Sequence, residues 1–238
     1  MNSDTLAARL RPFETASDRR APPGLLLVSR LDARGRARRA AADPEGNRAA
    51  MVATATHLLG CGFAVAYAYT QGDEVSLLFH QGEGAFGRTH RKWISILAGE
   101  ASASLSLRLG EPVAFDCRLV ELPSAELVID YCTWRQEVAA QVALAAACVQ
   151  ALRGGGVDED EAGRRVAGLS RRDRHEVLHG YGLNFNDLPA WRRRGIGLWW
   201  ADPPEGARGP RRTIVDDALP RGELHLALLR DRLRDAGA

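Results

Sequence analysis

The chain is 238 residues long and 45% hydrophobic, with a formal charge of only +2. That apolar content suffices for a buried core without staples, and the near-neutral balance excludes a polybasic protein whose charge alone would dictate its partner. Four widely spaced cysteines, Cys61, Cys117, Cys132 and Cys148, form no CxxC pair, which argues against a zinc knuckle or disulfide framework and for a reducing compartment.

Residues 1–23 are mixed in charge, show no secretory signal pattern and close on Pro22-Pro23, so they read as a loosely packed lead-in. Residues 25–31, LLLVSRL, form the short apolar run of a central strand, which stops at Asp32. A basic segment containing Gly35 follows. Asn47 is placed to cap a helix that passes Met51 and Leu58 and breaks at Gly60. In residues 64–79, AVAYAYTQGDEVSLLF, two apolar runs flank Gln71-Gly72-Asp73-Glu74, the pattern of two strands joined by a tight turn.

A helix is expected from Phe86 to about Ala98, with Arg88, His90, Arg91 and Lys92 in its first half. A helix dipole prefers anions there, so stability does not explain these charges; a solvated basic face is the plain alternative. Lys92 is the single lysine among 32 basic residues. Residues 114–122 read as a strand, and Pro123-Ser124 introduces a long helix over 125–152 that Gly154-Gly155-Gly156 ends. Its apolar stretch, 138–152, is too short to span a bilayer, which predicts a cytoplasmic protein without a membrane segment. Short charged helices over 158–167 and 171–179, a strand over 196–200 and a terminal helix over 224–234 complete the chain.

The order strand, helix, hairpin, helix, strand predicts an α+β fold, an antiparallel sheet with helices on one face and a helical C-terminal extension. The boundaries are a lead-in over 1–23, a catalytic core over 24–123, a helical extension with the last strand over 124–200, and a loop and helix over 201–238.

Asp32 ends the first strand and Asp73 occupies the hairpin tip. If those strands are neighbours, both carboxylates meet at one sheet edge, where they can hold two Mg²⁺ ions about 3.5–4 Å apart and so activate a hydroxyl against a phosphoryl group. The basic, glycine-containing segment after Asp32 would then face a triphosphate. Ordinary turn chemistry is the competing account of Asp73-Glu74.

Four blocks carry a resemblance: RLDARGRARR at 30–39, AYTQGDEVSLLF at 68–79, FDCRLVELPSAELVIDYCTWRQ at 115–136 and YGLNFNDLPAWRRRGIGLWW at 181–200. In order and content they resemble the tRNA-histidine guanylyltransferase family of 3′-to-5′ nucleotide-adding enzymes, in a divergent, bacterial-like form. The resemblance implies a polymerase-palm-like (ferredoxin-like) fold, two Mg²⁺ ions, GTP (with ATP as a further nucleotide) and tRNA as substrates, and a homo-tetramer. It places the metal on Asp32, the Ala33 carbonyl and Asp73, and catalysis on Asp32, Asp73 and Glu74. It extends nucleotide binding to Arg34, Gly35, Arg36, Ala37, Gly72 and Lys92. Arg88, Arg91, Arg135 and the Arg192–Arg194 cluster are candidate RNA phosphate contacts, although exposed arginines are common in a chain so rich in them.

The departures keep the metal-ligating groups: at Ala33 the carbonyl survives, though the backbone freedom of glycine does not. Ala33 and Gly72 replace the family's usual Gly and Ser, Asp43 precedes Pro44 where the family has Lys, and Ala140-Gln141-Val142-Ala143 replaces a polar HINN run. That pattern suits tRNA 5′-end repair, or, alternatively, a palm-fold nucleotide- or RNA-binding module weakened in transfer; a nucleotide or diguanylate cyclase shares the same carboxylate logic. His175-Glu176-Val177-Leu178-His179 is a literal HExxH, but no third zinc ligand follows it at the spacing a zinc protease needs. Tryptophans 93, 134, 191, 199 and 200 could stack on bases, though core packing is their usual role.

Overall fold

Strand β1 (Leu26–Ala33) organises the sheet because both of its faces are apolar over most of its length. The structure, a computed structural model, describes residues 2–35, 43–203 and 209–238. Within them lie five further strands: β2 (Val65–Gln71), β3 (Glu74–Phe79), β4 (Phe115–Leu122), β5 (Ile196–Ala201) and β6 (Arg212–Asp216). All pair antiparallel in the order β4-β1-β3-β2-β5-β6. The β4-β1-β3-β2 half is the split βαβ arrangement, with β5 and β6 added beyond β2.

Eight α-helices accompany the sheet among the described residues: α1 (Ser3–Glu14), α2 (Pro44–Leu59), α3 (His90–Leu109), α4 (Ala125–Gly154), α5 (Glu159–Ala167), α6 (Arg171–Gly180), α7 (Ala190–Arg194) and α8 (Glu223–Asp235). Period-two alternation along β1 sorts its side chains between two cores. Leu27, Leu31 and Ala33 pack with Met51 and Leu58 of α2 and with Trp93, Leu97 and Leu105 of α3. Leu26 and Val28 point the other way, to Val128 and Ala139 of α4 and Leu229 and Leu233 of α8. The helix pair of the α+β core thus covers one face, and the C-terminal extension covers the other. A third cluster joins the far half of α4 to α5 and α6 through Leu144, Cys148, Val166 and Leu178.

Local chemistry sets the boundaries. Asp43 rather than Asn47 caps α2, accepting the Gly46 N–H at 2.9 Å, which leaves the Asn47 side chain for another task. Helix α3 starts at His90, not Phe86, because Phe86 and Arg88 hold positive φ in a 3₁₀ turn. Ser170 and Asp173 close a reciprocal capping box on α6. Strand β6 went unforeseen: its five residues sit among Pro, Gly and Arg, and only pairing with β5 makes them a strand. All four cysteines are free thiols, and burial pushes Cys117 and Cys132 up to about 12.

Candidate active site

The hairpin between β2 and β3 turns on two residues, Gly72 and Asp73, with Gln71 and Glu74 paired across its base. Gly72 has φ +60°, a conformation that glycine adopts without a Cβ clash. Three contacts fix the tip. The Thr70 hydroxyl donates to the Glu74 carbonyl at 2.8 Å, the Asn47 amide to the Gly72 carbonyl at 2.6 Å, and the Gln71 amide to the Arg192 carbonyl at 3.0 Å. Gly195 lets α7 approach: a Cβ there would meet the Tyr69 ring at 2.5 Å.

Strand β1 lies beside β3 with Asp32 opposite Glu74, and the Ala33 N–H donates to the Asp73 carbonyl at 2.9 Å. Asp32 and Asp73 therefore stand on adjacent chains at one end of the sheet. Asp116 of β4 is the other cross-strand neighbour of Asp32, so Asp116, Asp32 and Glu74 form a row across three strands. Like charges abreast repel, and arginines of the same face answer them. Arg30 lies 3.0 Å from Asp32 and 3.6 Å from Glu74, and Arg118 lies 3.9 Å from Asp32. Arg135, reaching down from α4, grips Glu74 with two guanidinium nitrogens, its Nε at 2.8 Å.

Burial pushes the Glu74 carboxyl above the usual carboxylate range, against the pull of Arg135 and Arg30. For Arg30, burial acts to lower the pKa, but the attraction of Glu74 and Asp32 outweighs it and holds the guanidinium above its ordinary value. Asp32 keeps 30% of its side chain exposed and Glu74 only 12%. The arrangement thus divides the acids: Glu74 is bound up in an internal ion pair, while Asp32 and the half-buried Asp73 sit nearer solvent.

The family model described as tRNAHis guanylyltransferase matches residues 7–123. The N-terminal half of the chain belongs to the tRNAHis guanylyltransferase family. The chain is 30% identical over 144 residues to "Probable tRNA(His) guanylyltransferase" of Drosophila melanogaster, covering 56% of this chain and 50% of that protein. Its namesake in Mus musculus is 29% identical over 147 residues, covering 57% and 49%. The chain thus matches about half the length of these curated relatives. Among solved structures, a bacterial tRNA(His) guanylyltransferase-like protein in complex with GTP aligns with TM-score 0.75 at 22% identity, covering 98% of this chain and 99% of that one. The Saccharomyces cerevisiae enzyme aligns with TM-score 0.69 at 19% identity, over 80% and 91%. These structural likenesses place the fold with the palm-like proteins of this family.

Against that family pattern, the predicted residues divide. Asp32, Ala33, Gly72, Asp73 and Glu74 converge, and Arg34 follows at the same edge, its N–H donating to the Ala114 carbonyl at 2.9 Å. Gly35 is next in the chain; Arg36 and Ala37 lie outside the described residues. Lys92 does not join them within the chain. Helix α3 starts beside the end of β4, where His90 contacts Glu121, and Leu122 there faces Leu26. Six strand steps, roughly 20 Å, separate Leu26 from Asp32. The direction of the β3-to-α3 connection, invisible in the motif, decides this.

Three of the candidate RNA contacts have partners within the chain, although Arg91 itself stays exposed. Arg88 donates to the Leu25 carbonyl at 2.8 Å, Arg91 pairs with Asp18, and Arg135 is buried on Glu74. Arg135 is therefore a positioning residue for the carboxylate row rather than a surface contact. Sequence reasoning missed Arg30 and Asn47; two-residue periodicity would have found Arg30, which shares a strand face with Asp32.

Beside Asp73 opens a cavity of about 140 Å³ between α2, α4 and α7. Val142, Ala143 and Ala146 form its apolar wall, and Arg48 lies over the Trp191 ring at 5.5 Å on another side. Two of the four drifted HINN positions, Val142 and Ala143, therefore line the space next to the hairpin tip, whereas Ala140 and Gln141 line a separate cleft. The HExxH residues lie elsewhere: His175 packs edge-on to Phe185, and Glu176 and His179 are exposed. Among the described residues no group of three or more His, Cys, Asp or Glu is arranged to hold a metal. Trp93 is fully buried, whereas Trp134 is 50% exposed and stacks with Arg135.

Proposed function

We propose that the protein is a Mg²⁺-dependent nucleotidyltransferase that adds a nucleotide, GTP by preference, to the 5′ end of tRNA, with repair of a shortened 5′ end as its task. The observation that carries this reading is the junction of Ala33 and Asp73, which brings both aspartates of the family pattern to one edge of a palm-like sheet. The donors suit Mg²⁺ in kind: two carboxylates and a backbone carbonyl, all hard oxygens. The absence of a three-acid cluster among the described residues is compatible, because Mg²⁺ is usually held by one or two carboxylates plus waters and substrate phosphates. Two such ions would lower the pKa of an attacking hydroxyl and neutralise charge on a leaving phosphate.

The chain's own residues do the rest. Asp32, Asp73 and the Ala33 carbonyl would hold the ions, and Arg135 and Arg30 fix Glu74 so that the row keeps its spacing. Arg34 and Gly35, with Arg36 and Ala37, would face the triphosphate. The 3′-hydroxyl oxygen of the incoming nucleotide attacks the 5′-phosphorus of an activated RNA end. One P–O bond forms, the P–O bond to pyrophosphate or to an activating nucleotide breaks, and the hydroxyl proton leaves to solvent. A homo-tetramer and a cytoplasmic location belong to the same reading; no helix among the described residues is long and apolar enough to cross a membrane.

Labelled GTP, Mg²⁺ and a 5′-triphosphorylated tRNA lacking its first nucleotide should yield RNA one residue longer, and Asp73→Ala should abolish it. No extension of either triphosphorylated or monophosphorylated tRNA would overturn the assignment. A second reading, a nucleotide- or RNA-binding module with weakened transfer, is favoured by the apolar wall of Val142 and Ala143 beside Asp73. Mg²⁺-dependent GTP binding without product would select it.

A further inference from the structure

On the other side of α7 from the Asp73 cavity lies a larger cleft of about 590 Å³, walled by α4, α6, α7 and the start of α8. Helix α7 divides the two: Arg192 lines the first, Arg193 and Arg194 the second. Gln136, one residue beyond the Glu74-bound Arg135, donates to the Arg194 carbonyl at 3.5 Å and the Pro220 carbonyl at 3.2 Å. It thereby ties α7 and the approach to α8 to the same helix that braces the active site.

Four guanidinium groups line this cleft, those of Arg171, Arg193, Arg194 and Arg221, against two carboxylates, Glu137 and Glu223. Among the described residues none of the four has a carboxylate within ion-pair distance; Arg193 donates only to the Leu188 carbonyl, and the buried Nε of Arg194 has no acceptor. Burial first, and then the nearby charges of Arg193 and Arg221, lower the pKa of Arg194 against the weaker attraction of Asp216. Helix α8 begins here at Gly222 with no side-chain cap. His225, on its first turn, is only 3% exposed, lines the cleft, and has both ring nitrogens unpartnered.

The four arginines outnumber the two carboxylates of the lining, and the buried His225 ring adds at least one N–H donor. We propose that this cleft is a second anion site that takes a phosphate group, carried either by the RNA backbone or by a free nucleotide. Phosphate presents several strong acceptors at once, which suits guanidinium forks and a helix N-terminus together. The volume leaves room for the sugar or base attached to it. The inference stands on charge and geometry alone and survives even if no nucleotide is transferred.

The test uses the full chain in phosphate-free buffer, with Arg171→Glu/Arg221→Glu as the variant. Both side chains are exposed, so folding should be preserved, and Arg171→Lys/Arg221→Lys serves as the conservative control. Binding of a tRNA transcript and of Mg²⁺·GTP is measured by titration, with Asp73→Ala in parallel. A tenfold or greater loss of tRNA affinity in the Glu variant, with a shallower salt dependence and recovery in the Lys variant, assigns the site to RNA phosphate. Loss of one of two GTP equivalents, with the remaining one removed by Asp73→Ala, assigns it to a free nucleotide. If tRNA affinity and GTP stoichiometry both stay within twofold of the parent, the proposal fails. Asp73→Ala losing activity or not bears only on the transferase reading.

Discussion

The two ends of β1 use the same residue types for opposite purposes. At the Asp32 end, carboxylates are the scarce resource: Arg30, Arg118 and Arg135 gather around Asp32 and Glu74 and leave a row of acids at the edge. At the Leu26 end, basic residues are bridled instead. Glu121 holds Arg19 and His90, Asp18 holds Arg91, and backbone carbonyls hold Arg88. A charge's neighbours on the sheet, and not its motif, decide whether it is available to a ligand.

The largest expected effect is at the acid end. Asp32→Ala or Asp73→Ala should reduce RNA extension by more than about 100-fold in a gel assay, since even indirect metal partners contribute 10–100-fold. Circular dichroism should show the fold intact, because both side chains sit at the edge. Next comes Arg135→Ala, which leaves Glu74 buried without its main partner and should lower unfolding free energy in urea by about 3–5 kcal/mol. Glu74→Gln in the same background should recover part of that loss by removing the stranded charge.

A smaller effect separates the two faces. Burial lowers the pKa of His225 from the ordinary value near 6.5, so the folded chain resists a proton that the unfolded chain accepts. Its contribution to stability is complete above pH 6.5 and is lost as pH falls through that value toward the folded pKa. Thermal melts in phosphate-free buffer should show a parent midpoint that falls more steeply below pH 6.5 than that of His225→Gln. The smallest effect belongs to the basic end: Lys92→Ala should leave Mg²⁺·GTP affinity of the isolated chain within twofold. A tenfold loss would instead put that end against the nucleotide of a neighbouring copy.

Much of this was legible before any coordinates. The hairpin tip could be read because Gly-Asp between β-branched and aromatic runs has few other conformations. Arg135 and Lys92 were not legible in the same way. Both are basic residues in the first half of a helix, yet one helix runs toward the acid row and the other starts at the far end. Strand β6 was hidden because five residues carry too little periodicity to outweigh the glycines and prolines around them.

The sequence by itself determined the alternation of β1, the turn that presents Asp73 and the family to which the N-terminal half belongs, because these depend on neighbours a few residues apart. Only the tertiary structure decided that Glu74 is enclosed while Asp32 stays partly open, and that arginines from α6, α7 and the approach to α8 share one cleft. Those outcomes rest on burial and on strand and helix direction, which bring together charges separated by tens of residues and set how much water each one keeps.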